Sequence, residues 1–248
     1  MSEALVIIPT YNEIENIANI IDAVMGLPVR FDVLEIDEAP PAAPADAVKQ
    51  KMLQYPERIF LEQRSGKLGL GTAYIHGFKW ALERKYEFVT EMDADFSHNP
   101  EDLPRLLAAL KEQKADVAIG SRYITGVNVV NWPMGRVLMS FYASMYVRMV
   151  TRMKVRDTTA GFVCWRRRVL EALELDRIEF KGYAFQIEMK FKAFKRGFRI
   201  VEVPIVFVNR VLGTSKMNGS IFGEAVFGVI KLRIKSLFKK YPQAEPLK

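Results

Sequence analysis

Short apolar runs rich in β-branched residues alternate along the chain with stretches whose apolar positions recur every three or four residues. Leu5 to Ile8, Val33 to Ile36, Arg58 to Leu61, Phe88 to Met92 and Val117 to Ile119 read as strands. The segments between them, Glu13 to Met25, Ala45 to Gln54, Gly71 to Arg84 and Glu101 to Glu112, read as helices. The first helix carries its stripe through Ile14, Ile17, Ile20, Ile21 and Val24. Strand and helix repeated in this way predict an α/β fold, a mostly parallel sheet covered by helices on both faces.

Beyond Ser121 the alternation weakens into a long mixed segment, Tyr123 to Val155, with Trp132-Pro133-Met134-Gly135 followed by a Met- and Tyr-rich helical pattern. Phe162 to Trp165 and Ile200 to Val208 flank a helix over Phe185 to Arg196 and return the chain to the sheet, and Pro204 predicts an edge strand or a bend. The division is therefore a catalytic-type domain over 1–218 and a C-terminal helix and tail over 219–248. That helix, Ser220 to Lys240, sets Phe222, Val226, Val229, Ile230 and Leu237 on one face and Glu224, Lys231, Lys235 and Lys239 on another. It is either docked on the core or a basic amphipathic helix resting on an anionic membrane.

Composition narrows the partners. With 248 residues, half of them apolar, the chain can bury a large core. A net charge of +7 and a pI near 9.4 favour anionic partners. Nucleic acid is set aside, because no recognised motif or basic stripe interleaved with aromatics accompanies that charge. Cys164, the single cysteine, lies in an apolar run and reads as a small buried hydrophobe. No stretch reaches the roughly 18 uninterrupted apolar residues of a membrane span. The start lacks the features of a signal peptide, so a cytoplasmic protein is expected.

The candidate chemistry centres on Asp93 and Asp95, which end an apolar run. If strand geometry persists to that point, both carboxylates leave one face, as a hard divalent cation requires. Such a pair suits a metal-bridged diphosphate. Arg122, after the strand ending at Ser121, and Arg210 and Lys216, in a hydroxyl-bearing loop, can clamp phosphate. Arg64-Ser65-Gly66-Lys67-Leu68-Gly69-Leu70-Gly71 has the glycines of a P-loop but places its lysine before the last two of them, so it reads as a close-packed entrance to a helix. The two histidines, His76 and His98, read as structural. Transfer of a sugar from a nucleotide diphosphate to a phosphate acceptor needs no imidazole base, since the acceptor is already anionic.

Pro9-Thr10-Tyr11-Asn12-Glu13, Lys67 to Tyr74, Asp93-Ala94-Asp95-Phe96-Ser97-His98, Gly120-Ser121-Arg122-Tyr123, Lys181-Gly182-Tyr183-Ala184-Phe185-Gln186 and Ser215-Lys216 together carry a resemblance. Through them the chain resembles the polyprenol-phosphate (dolichol-phosphate) mannosyltransferases of the family 2 glycosyltransferases. The resemblance implies a GT-A (Rossmann-like) fold, GDP-mannose as donor, a polyprenyl (dolichyl-type) phosphate as acceptor, Mg2+ or Mn2+ as cofactor, and inversion at the anomeric carbon. By matching position, Pro9, Tyr11 and Glu13 would contact the nucleoside, with Ile36 and Glu38 beside the base. Asp93, Ala94 and Asp95 would hold diphosphate and metal, with Asp93, Asp95 and Arg122 as the catalytic set. Arg122, Arg210 and Lys216 would neutralise phosphates, and Asp157, Gln186 and Glu188 would be supporting or acceptor-side residues. A peripheral enzyme on the cytoplasmic face of a membrane is implied, reaching its lipid through the C-terminal helix, the Trp132 region or a separate anchor subunit. The alternatives are a family 2 enzyme using UDP-glucose on the same lipid phosphate, and a catalytically impaired membrane-associated binding protein.

One loop departs from the pattern. Where the family reads Asp-Asp-Asn-Ser-Pro-Asp-Gly-Thr, this chain has Asp37-Glu38-Ala39-Pro40-Pro41-Ala42-Ala43-Pro44. The short polar side chains that turn and cap such a loop are gone, and prolines supply no N–H groups. Weakened or altered nucleotide recognition on a retained fold is the expectation.

Overall fold

The computed structural model describes residues 2–11, 14–38, 44–66, 68–182, 184–209 and 219–247. The chain runs β1 (Ala4–Thr10), α1 (Ile14–Met25), β2 (Asp32–Asp37), α2 (Pro44–Gln54), β3 (Ile59–Gln63), α3 (Leu70–Glu83), β4 (Phe88–Glu91), α4 (Leu103–Glu112) and β5 (Val117–Ser121). It continues with β6 (Val129–Val130), α5 (Met134–Thr151), β7 (Val163–Arg166), α6 (Arg167–Ala172), α7 (Ala184–Lys195), β8 (Ile200–Pro204), β9 (Phe207–Val208) and α8 (Gly219–Phe238).

Seven strands form one sheet in the order β3-β2-β1-β4-β7-β5-β8, and β6 pairs with β9 beside it. All pairings in the large sheet are parallel except those of β7, which enters antiparallel between β4 and β5. The mostly parallel sheet is thus as expected, and Pro204 does lie on an edge strand, β8.

Alternation along β1 builds both cores. Ala4, Val6 and Ile8 face a cluster with α1 and α4, while Leu5 and Ile7 face a second cluster with α3, α6 and α7. The stripe Ile17, Ile20, Ile21 and Val24 is fully buried in the first cluster, so the helical periodicity of α1 exists to cover the sheet. Truncating a residue such as Ile7 to alanine would cost roughly 2–5 kcal/mol. The glycine pattern before and within α3 proves to be packing. A Cβ on Gly71 would meet the Phe185 ring at 2.8 Å, and one on Gly77 would meet Ile7 at 2.8 Å. Gly69, at φ 104, turns the chain into α3 in a conformation that side chains other than glycine's resist.

The face assignment of the C-terminal helix needs correction. Among its described side chains Val229 and Leu232 turn inward, onto a third cluster with Val147, Met153, Ile187 and Phe191. Ile230 and Leu237 are exposed, together with Phe227, Ile234 and Phe238. Helical periodicity could not reveal this, because α8 is apolar on more than one side and its neighbours α5 and α7 decide which side is covered.

Candidate functional site

The carboxyl ends of β1, β2, β4 and β5 open toward one edge of the sheet, where ligands bind in open α/β folds. Strand geometry ends at Glu91, so Asp93 and Asp95 are placed by a turn and not by the alternation of a strand. Phe96 takes a left-handed conformation at φ 57. Asp95 stabilises that turn by accepting hydrogen bonds from the Ser97 amide (3.1 Å) and hydroxyl (2.5 Å). Ala94 and Asp95 are buried, whereas the Asp93 side chain is 39 % exposed.

His98 fixes the turn from beneath. Its Nδ1 accepts the Asp93 amide proton at 3.2 Å, and its ring stacks on Phe162 at 4.8 Å and meets Phe207 edge-on at 5.3 Å. Burial holds the imidazole below its ordinary pKa, against the pull of Asp93 and Asp95. A neutral ring whose Nδ1 is already an acceptor supports the loop and does not act as a base. Phe207, which meets the His98 ring, also lies 5.6 Å from the guanidinium of Arg122, the partner of Asp157. The structure therefore gathers Asp93, Asp95 and Arg122 around one buried ring.

Arg122 itself is strongly held. Its Nε and Nη2 donate to the two Asp157 oxygens at 2.7 and 2.6 Å, its amide donates to Asp157 at 2.9 Å, and Nη2 also reaches the Thr159 hydroxyl at 2.9 Å. Although burial works against both charges, each partner favours the other's ionised form, raising the Arg122 pKa and lowering that of Asp157. Three aromatic rings surround the guanidinium, Tyr123 at 5.2 Å, Phe207 at 5.6 Å and Trp132 at 5.7 Å. On the same Trp132 ring, at 4.0 Å, lies Arg136, which also donates to Asn209 at 2.8 Å. Nothing in the sequence spacing of Arg136 points to Arg122.

Beneath Asp93 runs a second buried layer that the sequence did not reveal. Tyr74 of α3 is fully buried against the carboxylates of Asp93, Glu91 and Asp95, and burial and those charges keep its phenol protonated. Glu91 accepts from Trp165 Nε1 at 2.6 Å and from Gln186 Nε2. Lys190 donates to the carbonyls of Thr158, at 3.2 Å, and Ala160. Burial pushes the Glu91 carboxyl up and the Lys190 ammonium down, while each group's charge opposes the shift of the other. Asp157 and Gln186 are thus supports of the site. Glu188 turns elsewhere: its carboxylate takes the amides of Glu179 and Phe180 at 2.9 and 3.0 Å.

On the opposite bank, Pro9 and Thr10 pair in register with Ile36 and Asp37, and the Glu38 amide donates to the Thr10 carbonyl at 3.0 Å. Tyr11 follows at the mouth, partly buried. The Ile36 side chain belongs to the core beneath α3. Glu38 is nearly buried, and its carboxylate is taken by Arg64 at 2.7 Å, whose Nη2 also donates to Thr72 at 3.0 Å. Glu35, also fully buried, accepts the Thr10 hydroxyl at 2.7 Å through one oxygen, while the other has no hydrogen-bond partner. Burial raises its pKa to about 7, opposed by the Thr10 hydrogen bond and reinforced by Asp37. Glu13, Arg210 and Lys216, and loop positions 39–43, lie outside the described residues.

The donor set at Asp93 and Asp95 fits Mg2+ or Mn2+. Two hard carboxylates beside an open mouth are what such ions take from protein, with phosphate oxygens and water completing the shell. Among the described residues no group of three or more His, Cys, Asp or Glu side chains forms a closed metal cage. A cation held here would therefore share its coordination with a ligand.

Comparison with known proteins accords with this arrangement. The profile of "Glycosyl transferase family 2" matches residues 5–173. The chain is 46 % identical to an undecaprenyl-phosphate mannosyltransferase of Micrococcus luteus over 227 residues, covering 92 % of each chain. It is 44 % identical to a polyprenol monophosphomannose synthase of Mycolicibacterium smegmatis over 231 residues, 93 % of this chain and 87 % of that one. Among solved structures, glucosyl-3-phosphoglycerate synthase from Mycobacterium tuberculosis in complex with Mn2+, UDP and glucosyl-3-phosphoglycerate superposes with a TM-score of 0.66. That match has 16 % identity and covers 94 % of this chain and 79 % of the other, so it speaks to the fold. The chain belongs to glycosyl transferase family 2 and is a glycosyltransferase.

Proposed function

We propose that this glycosyltransferase transfers mannose from GDP-mannose to a polyprenyl phosphate, with inversion at the anomeric carbon and with a divalent cation at Asp93 and Asp95. The observation that carries the reading is that His98 holds the Asp93 amide in the turn that carries Asp95, while Phe207, which meets the His98 ring, also lies against the Arg122 guanidinium. The activities for which the two mannosyltransferase relatives are named support the choice of sugar and acceptor. Structural neighbours crystallised with Mn2+ or Mg2+ and UDP support the cation.

Chemically, a phosphate oxygen of the acceptor attacks the anomeric carbon as the bond to the diphosphate breaks, and GDP leaves. The cation, when bound, offsets charge on the departing diphosphate. Asp93 and Asp95 would hold it, with the Asp95 carboxylate pre-set by Ser97 and the Asp93 backbone by His98. The acceptor oxygen needs no base, which suits a site whose histidine is neutral and occupied. Arg122, oriented by Asp157, and Arg136 on the shared Trp132 ring would supply positive charge on the acceptor side.

Access to a lipid acceptor is supported by the outer face of α5 and α8. Leu138, Phe141, Tyr142 and Met145 on α5 and Phe227, Ile230, Ile234 and Leu237 on α8 are all exposed. The two helices touch where the Tyr146 hydroxyl donates to the Val226 carbonyl at 2.9 Å. No helix among the described residues is long and apolar enough to cross a membrane. An apolar face on a chain of net charge +7 suits shallow seating on an anionic bilayer, on the cytoplasmic side where nucleotide sugars are available.

The test is transfer of labelled sugar to polyprenyl phosphate, with GDP-mannose and UDP-glucose in parallel and with and without EDTA. Mannolipid formed only from GDP-mannose and abolished by EDTA is the expected result. Preference for UDP-glucose would move the donor assignment, and no lipid product from either donor would leave a binding protein.

A further inference from the structure

We propose that the segment Ile178 to Gly182, held by Glu188, is a positioning strap through which the seating of α8 on a lipid surface sets nucleotide affinity at the start of α3. The inference rests on the membrane-docking reading above and adds a regulation to it.

The strap is fixed along its backbone. One Glu188 oxygen takes the amides of Glu179 and Phe180, at 2.9 and 3.0 Å, and the other pairs with Lys192 at 2.7 Å. Lys192 in turn donates to the Arg177 carbonyl at 2.7 Å, closing the anchor at the strap's start. Glu188 is 1 % exposed, so this carboxylate is committed to the strap. A buried charge with that many partners orders the segment it binds.

From this anchor the strap reaches in two directions. Toward α8, both Glu179 oxygens lie 2.6 Å from Lys235 Nζ, and Phe180 presses so closely on Gly228 that a Cβ there would come within 2.6 Å of the ring. Toward α3, the Lys181 carbonyl takes the Gly71 amide at 2.8 Å and sits 2.9 Å from where a Cβ on Gly69 would lie. The strap thus satisfies one of the free amides at the start of α3, which has no side-chain cap of its own. One turn on, Thr72 donates to the Gly69 carbonyl at 2.7 Å and accepts from Arg64, the residue that holds Glu38.

Every step from α8 to Glu38 is therefore a close contact or a hydrogen bond, and neither end has slack. Movement of α8 changes the position of Phe180 and Glu179, and with them the carbonyl that caps α3. A bilayer that captures the exposed side of α8 favours one seating of that helix over others. Differential binding of this kind is what shifts a coupled site.

The experiment is a titration of GDP with Mg2+ by calorimetry, with and without vesicles of phosphatidylcholine and phosphatidylglycerol, on the intact chain. In the wild type, vesicles tighten GDP binding by at least about fivefold, the lower end of ordinary allosteric coupling. Glu179→Gln and Lys235→Gln still sediment with vesicles but lose that response, and Lys235→Arg keeps it. An exposed pair contributes little to folding, so a stability role alone would not erase the vesicle response. Hydrogen exchange at the Gly71 amide gives a second readout: vesicles slow it in the wild type and not in Lys235→Gln. Vesicle binding with unchanged GDP affinity in the wild type, or a full response in both glutamine variants, overturns the strap and leaves the proposed function intact. A wild type that binds neither vesicles nor GDP overturns both.

Discussion

Arg122 and Glu35 are each buried beside the mouth of the site, and their surroundings differ sharply. Arg122 meets Asp157 through three hydrogen bonds and has a fourth to Thr159, in a cage of aromatic rings. Glu35 has a single hydroxyl, that of Thr10, and an oxygen with no hydrogen-bond partner. The Arg122 bank is a set of mutually satisfied charges that leaves little freedom. The bank of β1 and β2 carries a buried acid whose pKa burial raises to about 7, so that it changes charge near neutral pH. Under the proposed function, rigidity is concentrated where charge must be held during the reaction, and tunability where the nucleoside is read.

The contrast can be broken by removing one partner on each side. Asp157→Ala strands a buried guanidinium and should lower the unfolding free energy by roughly 3–5 kcal/mol, measured by denaturant titration. A loss under about 1 kcal/mol would show that water or another side chain can replace Asp157.

The Glu35 prediction concerns pH. Its folded pKa is raised from 4.5 to about 7, so the folded state binds more protons than the unfolded chain between those values. Stability therefore falls as pH rises through that window, by on the order of 2–3 kcal/mol between pH 5 and pH 8. Glu35→Gln should remove most of that loss and make the protein more stable than wild type at pH 8. An unchanged pH slope would place the loss in another group. The smallest effect belongs to Glu38→Gln, which removes the charge of a buried pair but leaves an acceptor for Arg64, and should cost roughly 1–2 kcal/mol.

The strand and helix order was legible because each element buries one face or one stripe, and that leaves a period in the sequence. β1, α1 and the run ending in Asp93 are the clearest cases. β7 was legible as the run Phe162 to Trp165, but α6 was not, since Arg166, Arg167 and Arg168 hide the start of that helix. At the site, Asp93, Asp95 and Arg122 could be named from their position after apolar runs. The geometry expected for the aspartates was wrong in detail, because the turn at Phe96 and Ser97 takes over from the strand. Glu91 and Lys190 left no trace, and Tyr74 showed only as the last residue of the motif Lys67 to Tyr74, without a role. They lie in stretches whose other residues read as ordinary core, and only the tertiary fold brings a tyrosine from α3 and a lysine from α7 beneath the same loop. Glu188 was legible as a residue of interest and not as an anchor, since its partners are backbone amides that no spacing announces.

Under the proposed function, Asp93 and Asp95 bind a divalent cation together with the nucleotide diphosphate. Mn2+ titration followed by electron paramagnetic resonance, with and without GDP, in wild type and Asp95→Ala tests it most directly. Tight Mn2+ binding that depends on GDP in the wild type and is lost in a folded Asp95→Ala is the expected result. Equal GDP-dependent Mn2+ binding by the two proteins would contradict it.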